Sequence, residues 1–183
     1  MEMKDSGERQ QFEGGAQRDT ATGKPKMGLL SPYAHKLCVR ATVEGSLPID
    51  MRAELHILDW NITTYVLSKN CIYLQEAFEM LLTWYGFGRL CDWLEKGSIK
   101  YSAFNWAKGM PFSRVMDSYL RHRVRILDND EDHPAAMMCN LMFLWHYEHA
   151  IRDGLLPEKW NDLFSFPSLA PVEKEESTEC SSK

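Results

Sequence analysis

The stretch PAAMMCNLMFLWHYEHAI, residues 134 to 151, constrains this chain more than any other part of it. It has the length of a helix and is apolar on nearly every face, so it must be surrounded by other elements. Its longest apolar run, AAMMCNLMFLW, contains Asn140 and is too short to span a bilayer. A central, buried helix in a bundle is the expectation. Pro134 suits a first helical position with His133 as N-cap. His133 and Asn140 are seven residues apart and share a stripe with Met137 and Leu144. A buried Asn needs hydrogen-bond partners, so Asn140 is either a structural bridge or the orienter of a ligand.

The rest of the sequence supplies the surrounding helices. Leu74, Ala77, Phe78, Leu81 and Tyr85 form one stripe at spacings of three and four, and Met116, Leu120, Val124 and Leu127 form another. Strand-like alternation is hard to find. With Gly97 as a stop and Pro111 and Ser113 as a start, the pattern predicts helices over 34–42, 50–68, 71–84, 88–96, 112–127, 134–152 and 157–163. The fold class is all-α: a helical bundle with an extended N-terminal arm and a disordered C-terminal tail. A chain of 183 residues builds one core, placed at 29–165. Residues 1–28 are a polar, basic, glycine-rich arm that cannot bury a core of its own, and the acidic, proline-interrupted tail 166–183 is expected to be disordered.

A net charge of −5 argues against a nucleic-acid polymer as partner, because counterion release needs a broad cationic surface. Five scattered cysteines without a C-x-x-C pair, and an N-terminus without an apolar signal region, point to reduced thiols in a cytoplasmic protein with no membrane partner.

Two regions carry candidate chemistry. Asp128, Asp130, Glu131 and Asp132 crowd before the buried helix, followed by His133. Negative charge is favoured at a helix start by the macrodipole, so the run reads as a solvated cap; crowded carboxylates equally suit Mg²⁺ or Mn²⁺, with His122 and His133 adding a nitrogen ligand or a general base. In the 112–127 helix Asp117 and Arg121 share one flank, and His122 lies on the other. Arg123 falls inside the apolar arc, where it must snorkel or pair with a buried carboxylate. The loop around Asn105, Trp106, Lys108 and Arg114 could stack a base and hold phosphates. Glu76 and Glu79, one turn apart, are an alternative carboxylate pair or an ordinary solvated face. No P-loop, Rossmann or nucleophile-elbow string occurs. An adjacent His-Asp pair, as HD-type phosphohydrolases need, is absent; the order here is Asp132-His133.

Three strings in order, KDSGERQQFEGGAQRDTATGKPK with LLSP, LEKGSIKYSAFNWAKGMPFSRVMDSYLRH, and DNDEDHPAAMMCNLMFLWHYE with GLLP, resemble the phage-associated dATP/dGTP diphosphohydrolase N-terminal domain family. Its activity is similar to that of the all-α MazG-like nucleotide pyrophosphohydrolases. The resemblance implies a helical, divalent-metal-dependent hydrolase that releases pyrophosphate from a purine deoxynucleoside triphosphate, in phage nucleotide metabolism. Matching positions are Arg18, Lys24, Glu95, Lys100, Tyr101, Asn105, Trp106, Arg114, Asp117, Arg121, His122, Asp132, His133 and Asn140. Relative to shorter relatives, residues 40–88 look inserted, Gly28 stands where an acid is expected, and Arg123 replaces an apolar residue.

The expected mechanism places Mg²⁺ (or Mn²⁺) on Glu95, Asp117 and Asp132. Arg18, Lys24, Lys100, Lys108 and Arg114 bind the triphosphate together with Asn105, Trp106 faces the base, and Arg121, His122 and His133 are catalytic. The rival reading is a non-enzymatic interaction protein on the same scaffold. Either could form a homo-oligomer.

Overall fold

The computed structural model describes residues 7 to 20 and 49 to 164. The helix expected at 34–42, with Lys24, Gly28 and the tail 166–183, lies outside them. Strands β1 (Arg9–Gln11) and β2 (Gln17–Asp19) pair antiparallel, with Arg9 opposite Asp19. Among the described residues five helices follow: α1 (Ile49–Ser68), α2 (Cys71–Tyr85), α3 (Phe87–Tyr101), α4 (Phe112–Val124) and α5 (His133–Arg152). Short 3₁₀ turns stand at Asn105–Lys108 and Glu158–Trp160.

The buried sequence at 134–151 becomes the centre of the bundle, packed against α2, α3 and, most extensively, α4. Ala135, Ala136, Met137, Met138, Leu141, Leu144 and Tyr147 are all buried. α1 and α2 form a helical hairpin. Its turn uses Lys69 in the left-handed region (φ 58°) and Asn70, whose side chain accepts the Ile72 N–H at 3.1 Å. Gly86 (φ 87°) then turns the chain from α2 into α3 and donates its N–H to the Leu82 carbonyl.

Arg123 takes the second of its two options. Its Nε and Nη2 donate to Asp59 Oδ1 and Oδ2 of α1 at 2.9 and 2.8 Å, a two-pronged pair with both side chains 3 % exposed. The pair ties α4 to α1 inside the core.

Several boundaries differ from the sequence expectation. α3 runs through Gly97 to Tyr101; one interior glycine weakens a helix by about 1 kcal/mol but does not stop it, and the real stop is Ser102 at φ 88°. α4 ends at Val124 rather than 127. Arg125 leaves the helix to bind Asp128 at 2.9 Å and also Asp130, which folds the acidic run back on itself. α5 starts one residue early: Asp132 is the N-cap, accepting the Ala135 N–H at 3.0 Å, and His133 is the first helical residue. The helix expected at 157–163 is only the Glu158–Trp160 turn. From that end Asp162 caps α4, accepting from the N–H and hydroxyl of Ser113 at 2.8 and 2.6 Å.

The arm is also more structured than its composition implies. Residues 9 to 19 are a hairpin turned by Gly14 and Gly15, laid on the bundle with Ala16 fully buried and Phe12 packed against the core. A Cβ at Gly14 would sit 2.4 Å from the Lys108 carbonyl and from the Trp160 ring, so only glycine allows this approach.

Removing one partner of the Arg123–Asp59 pair leaves a buried charge without compensation. Arg123→Ala should therefore cost about 3–5 kcal/mol in urea unfolding, while Arg123→Met combined with Asp59→Leu should recover most of it. A single variant as stable as the parent would show that the pair contributes nothing to the core.

Candidate active site

One pocket lies where the hairpin, α3, the Asn105–Lys108 turn, α4 and α5 meet. Its empty space, counted out to the open mouth, is about 910 Å³. Trp93, Tyr101, Phe104 and Phe143 give it aromatic walls, and Arg18 from β2 with Arg114 and Arg121 from α4 supply three guanidinium groups.

Each arginine is placed by a separate local device. Arg18 is on β2, and the hairpin is fixed by Asn105, whose side-chain amide pairs with the backbone of Gln17 in both directions, at 2.9 and 2.8 Å. Asn140, from the middle of α5, then accepts Arg18 Nη2 at 2.7 Å while donating to the Ala136 carbonyl at 2.7 Å. Asn140 is thus the structural bridge of the two alternatives, joining Arg18 to the backbone of α5. Arg114 and Arg121 are seven residues apart on one stripe of α4. Arg114 Nη2 donates to the Asp19 carbonyl at 3.2 Å, and its Nε is buried without a partner among the described residues. Arg121 has no hydrogen bond or ion pair among them.

The electrostatics follow from this crowding. Burial first, then Arg18 and Arg114, push the Arg121 guanidinium down to about 10, against the opposing pull of Asp117. Arg114 is lowered by burial and by Arg18. Asp19, the nearest acid on the hairpin, is shared among Arg9 at 3.1 Å, Lys100 at 3.0 Å and the Tyr101 hydroxyl at 2.8 Å. Burial and then the Asp19 hydrogen bond raise Tyr101 well above the usual tyrosine range. The pocket therefore holds more positive charge than its own acids neutralise, behind low-dielectric walls where an anion is attracted most strongly.

The acidic run sits against the inner wall. Asp128 and Asp130 are held by Arg125, and Asp132 by Arg89 at 2.8 Å and by its own capping bond. Glu131 alone of the four is buried, and it lines the pocket with His122. His122 Nδ1 lies 2.9 Å from His133 Nδ1 and 3.9 Å from Glu131 Oε2, and His133 Nε2 lies 2.9 Å from Asp130 Oδ1. Burial, then His133 and the nearby arginines, lower His122 to about 3, so its imidazole is neutral near pH 7. One donor atom from each of His122, Glu131 and His133 falls within 4.8 Å of the others.

Of the residues singled out in the sequence, the pocket brings together Arg18, Lys100, Asn105, Trp106, Arg114, Arg121 and His122, with His133 directly behind His122. Trp106 is stacked on Phe143 with ring centroids 5.4 Å apart and meets the edge of His146, so much of its ring is already covered. Lys108 is exposed outside the lining. Glu95, Asp117 and Asp132 do not converge: Glu95 is exposed on α3, Asp117 is buried on α4, and Asp132 caps α5. Glu76 and Glu79 are both exposed on α2, away from the pocket. Sequence reasoning gave no role to Asp19, Trp93 or Phe104, and Glu131 entered only as a neighbour in the acidic run. The spacing His122, Glu131, His133 across a tight, arginine-closed turn was the available signal for Glu131.

No curated protein and no solved structure matches the chain. Residues 78–154, from mid-α2 to just beyond α5, and so the α3, α4 and α5 walls of the pocket, match the family model described as dATP/dGTP diphosphohydrolase, N-terminal, a name that points to a hydrolase acting on nucleotides.

Proposed function

We propose that the pocket binds a purine deoxynucleoside triphosphate and hydrolyses it to the monophosphate and pyrophosphate, with a divalent cation, Mg²⁺ or Mn²⁺ in the first instance. The observation that carries this reading is the Arg18, Arg114 and Arg121 trio in one aromatic-walled pocket. A triphosphate is the kind of ligand that matches three convergent guanidiniums, because each fork reads phosphate oxygens in pairs. The name of the family model that matches residues 78–154 supports a nucleotide substrate and a hydrolytic reaction.

Phosphoryl chemistry is mostly positioning and charge stabilisation, and the side chains divide the work accordingly. Arg121, without a hydrogen-bond or ion-pair partner among the described residues and partly desolvated, would hold charge that grows as the pyrophosphate leaves. Arg114 and Arg18 hold the phosphates, with Asn140 and Asn105 setting the position of Arg18 through the hairpin. Phe104, 73 % exposed at the mouth, offers an aromatic face to the base. A bound cation would neutralise phosphate charge and lower the pKa of its water. His122, Glu131 and His133 are the residues whose donor atoms converge to hold such a cation, and their two nitrogens and one carboxylate suit Mn²⁺ better than Mg²⁺.

Incubation with the four common deoxynucleoside triphosphates and a divalent cation should release pyrophosphate, fastest from a purine substrate, and Arg121→Gln should lower kcat/KM by about 100-fold or more. Absence of pyrophosphate with every nucleotide and cation would end the enzymatic reading. Asn105→Ala should unfasten the hairpin, removing hydrogen-exchange protection over residues 9 to 19 and raising KM by about tenfold through Arg18. Unchanged protection and KM would show that Asn105 does not position the site.

A further inference from the structure

Mg²⁺ takes oxygen ligands in a near-octahedral shell and dehydrates reluctantly, so two imidazoles and one carboxylate are a poor set for it. Imidazole nitrogen with carboxylate oxygen suits Mn²⁺, Fe²⁺, Co²⁺ or Zn²⁺. We propose that His122, Glu131 and His133 form a transition-metal site of this class on the inner wall of the pocket, with Asp130 as the positioning residue that aims His133.

Asp130 stands behind His133 as its acceptor. Its carboxylate only accepts, so His133 carries a proton at Nε2, 2.9 Å away, which leaves Nδ1 as the nitrogen whose lone pair a metal would take. His133 Nδ1 lies 2.9 Å from His122 Nδ1, with Glu131 Oε2 at 3.9 Å from the same His122 nitrogen. Three electron-pair donors thus converge within 4.8 Å of one another, and a cation is an electrophile that all three can share. His133 is fully buried and Glu131 nearly so, which limits competition from water. A carboxylate behind a ligating histidine fixes its tautomer and raises its basicity. The neighbouring trio Asp128, Asp130 and His133 is not a competing site, because Arg125 already supplies the cation between its two carboxylates. His122 and Glu131 line the pocket, so the metal would face the triphosphate.

This rests on the hydrolase reading only for its purpose, since binding is measured without nucleotide. Co²⁺ added to the purified, chelator-treated full chain should bind in one equivalent with a visible absorption band and a calorimetric signal. Zn²⁺ should displace it, and Mg²⁺ in large excess should not. Glu131→Gln and His133→Gln, checked for folding by circular dichroism, should abolish the band, and Asp130→Asn should weaken Co²⁺ binding by about 10–100-fold. No Co²⁺ binding, binding indifferent to these changes, or displacement by equimolar Mg²⁺ would overturn the site. Metal binding as described in a protein that releases no pyrophosphate would uphold it while refuting the substrate reading.

Discussion

A helix that is apolar on nearly every face can be stable only if other elements cover it, and α5 imposes that condition on the whole domain. α2, α3 and α4 surround it, and the hairpin and the Asn105–Lys108 turn close the remaining side. On such a helix each polar group must find a partner, and the partners that Asn140 and His133 find are the site itself: Arg18 for one, His122 and Asp130 for the other. The core and the pocket are thus joined by the few polar residues of one buried helix.

The pocket carries its charge at a cost in stability. Arg121 and Arg114 are held partly out of water beside Arg18, with Asp117 the buried counter-charge on the same helix. Such an arrangement strains the protein alone and is relieved by an anion, which is how a preorganised phosphate site differs from a set of surface ion pairs. Arg123, two residues on, shows the opposite solution: the same side chain, buried deeper, is matched by both oxygens of Asp59 and is purely structural.

The central helix, the amphipathic stripes and most of the pocket's cations were legible in the sequence, because periodicity and charge are local properties. Partners distant in the chain were not. Asp162 capping α4 across 49 residues, and Asp59 receiving Arg123 across 64, leave no local mark. The hairpin was missed because its three-residue strands are polar and show no alternation, although the Gly14-Gly15 turn marked its tip. In the acidic run, composition could not separate the roles of four similar side chains. Arg125 takes two, of which Asp130 also bonds His133, helix geometry assigns Asp132 to the cap, and Glu131 is the one buried beside His122.

The central claim is that three guanidiniums fixed by the bundle make one polyphosphate site. Calorimetric titration with inorganic triphosphate, which has the phosphates but no base or sugar, tests it most directly. The account predicts saturable one-to-one binding that weakens with added salt and falls by about tenfold or more in Arg114→Gln and in Arg121→Gln. Binding that is undetectable, or indifferent to both substitutions, would contradict it.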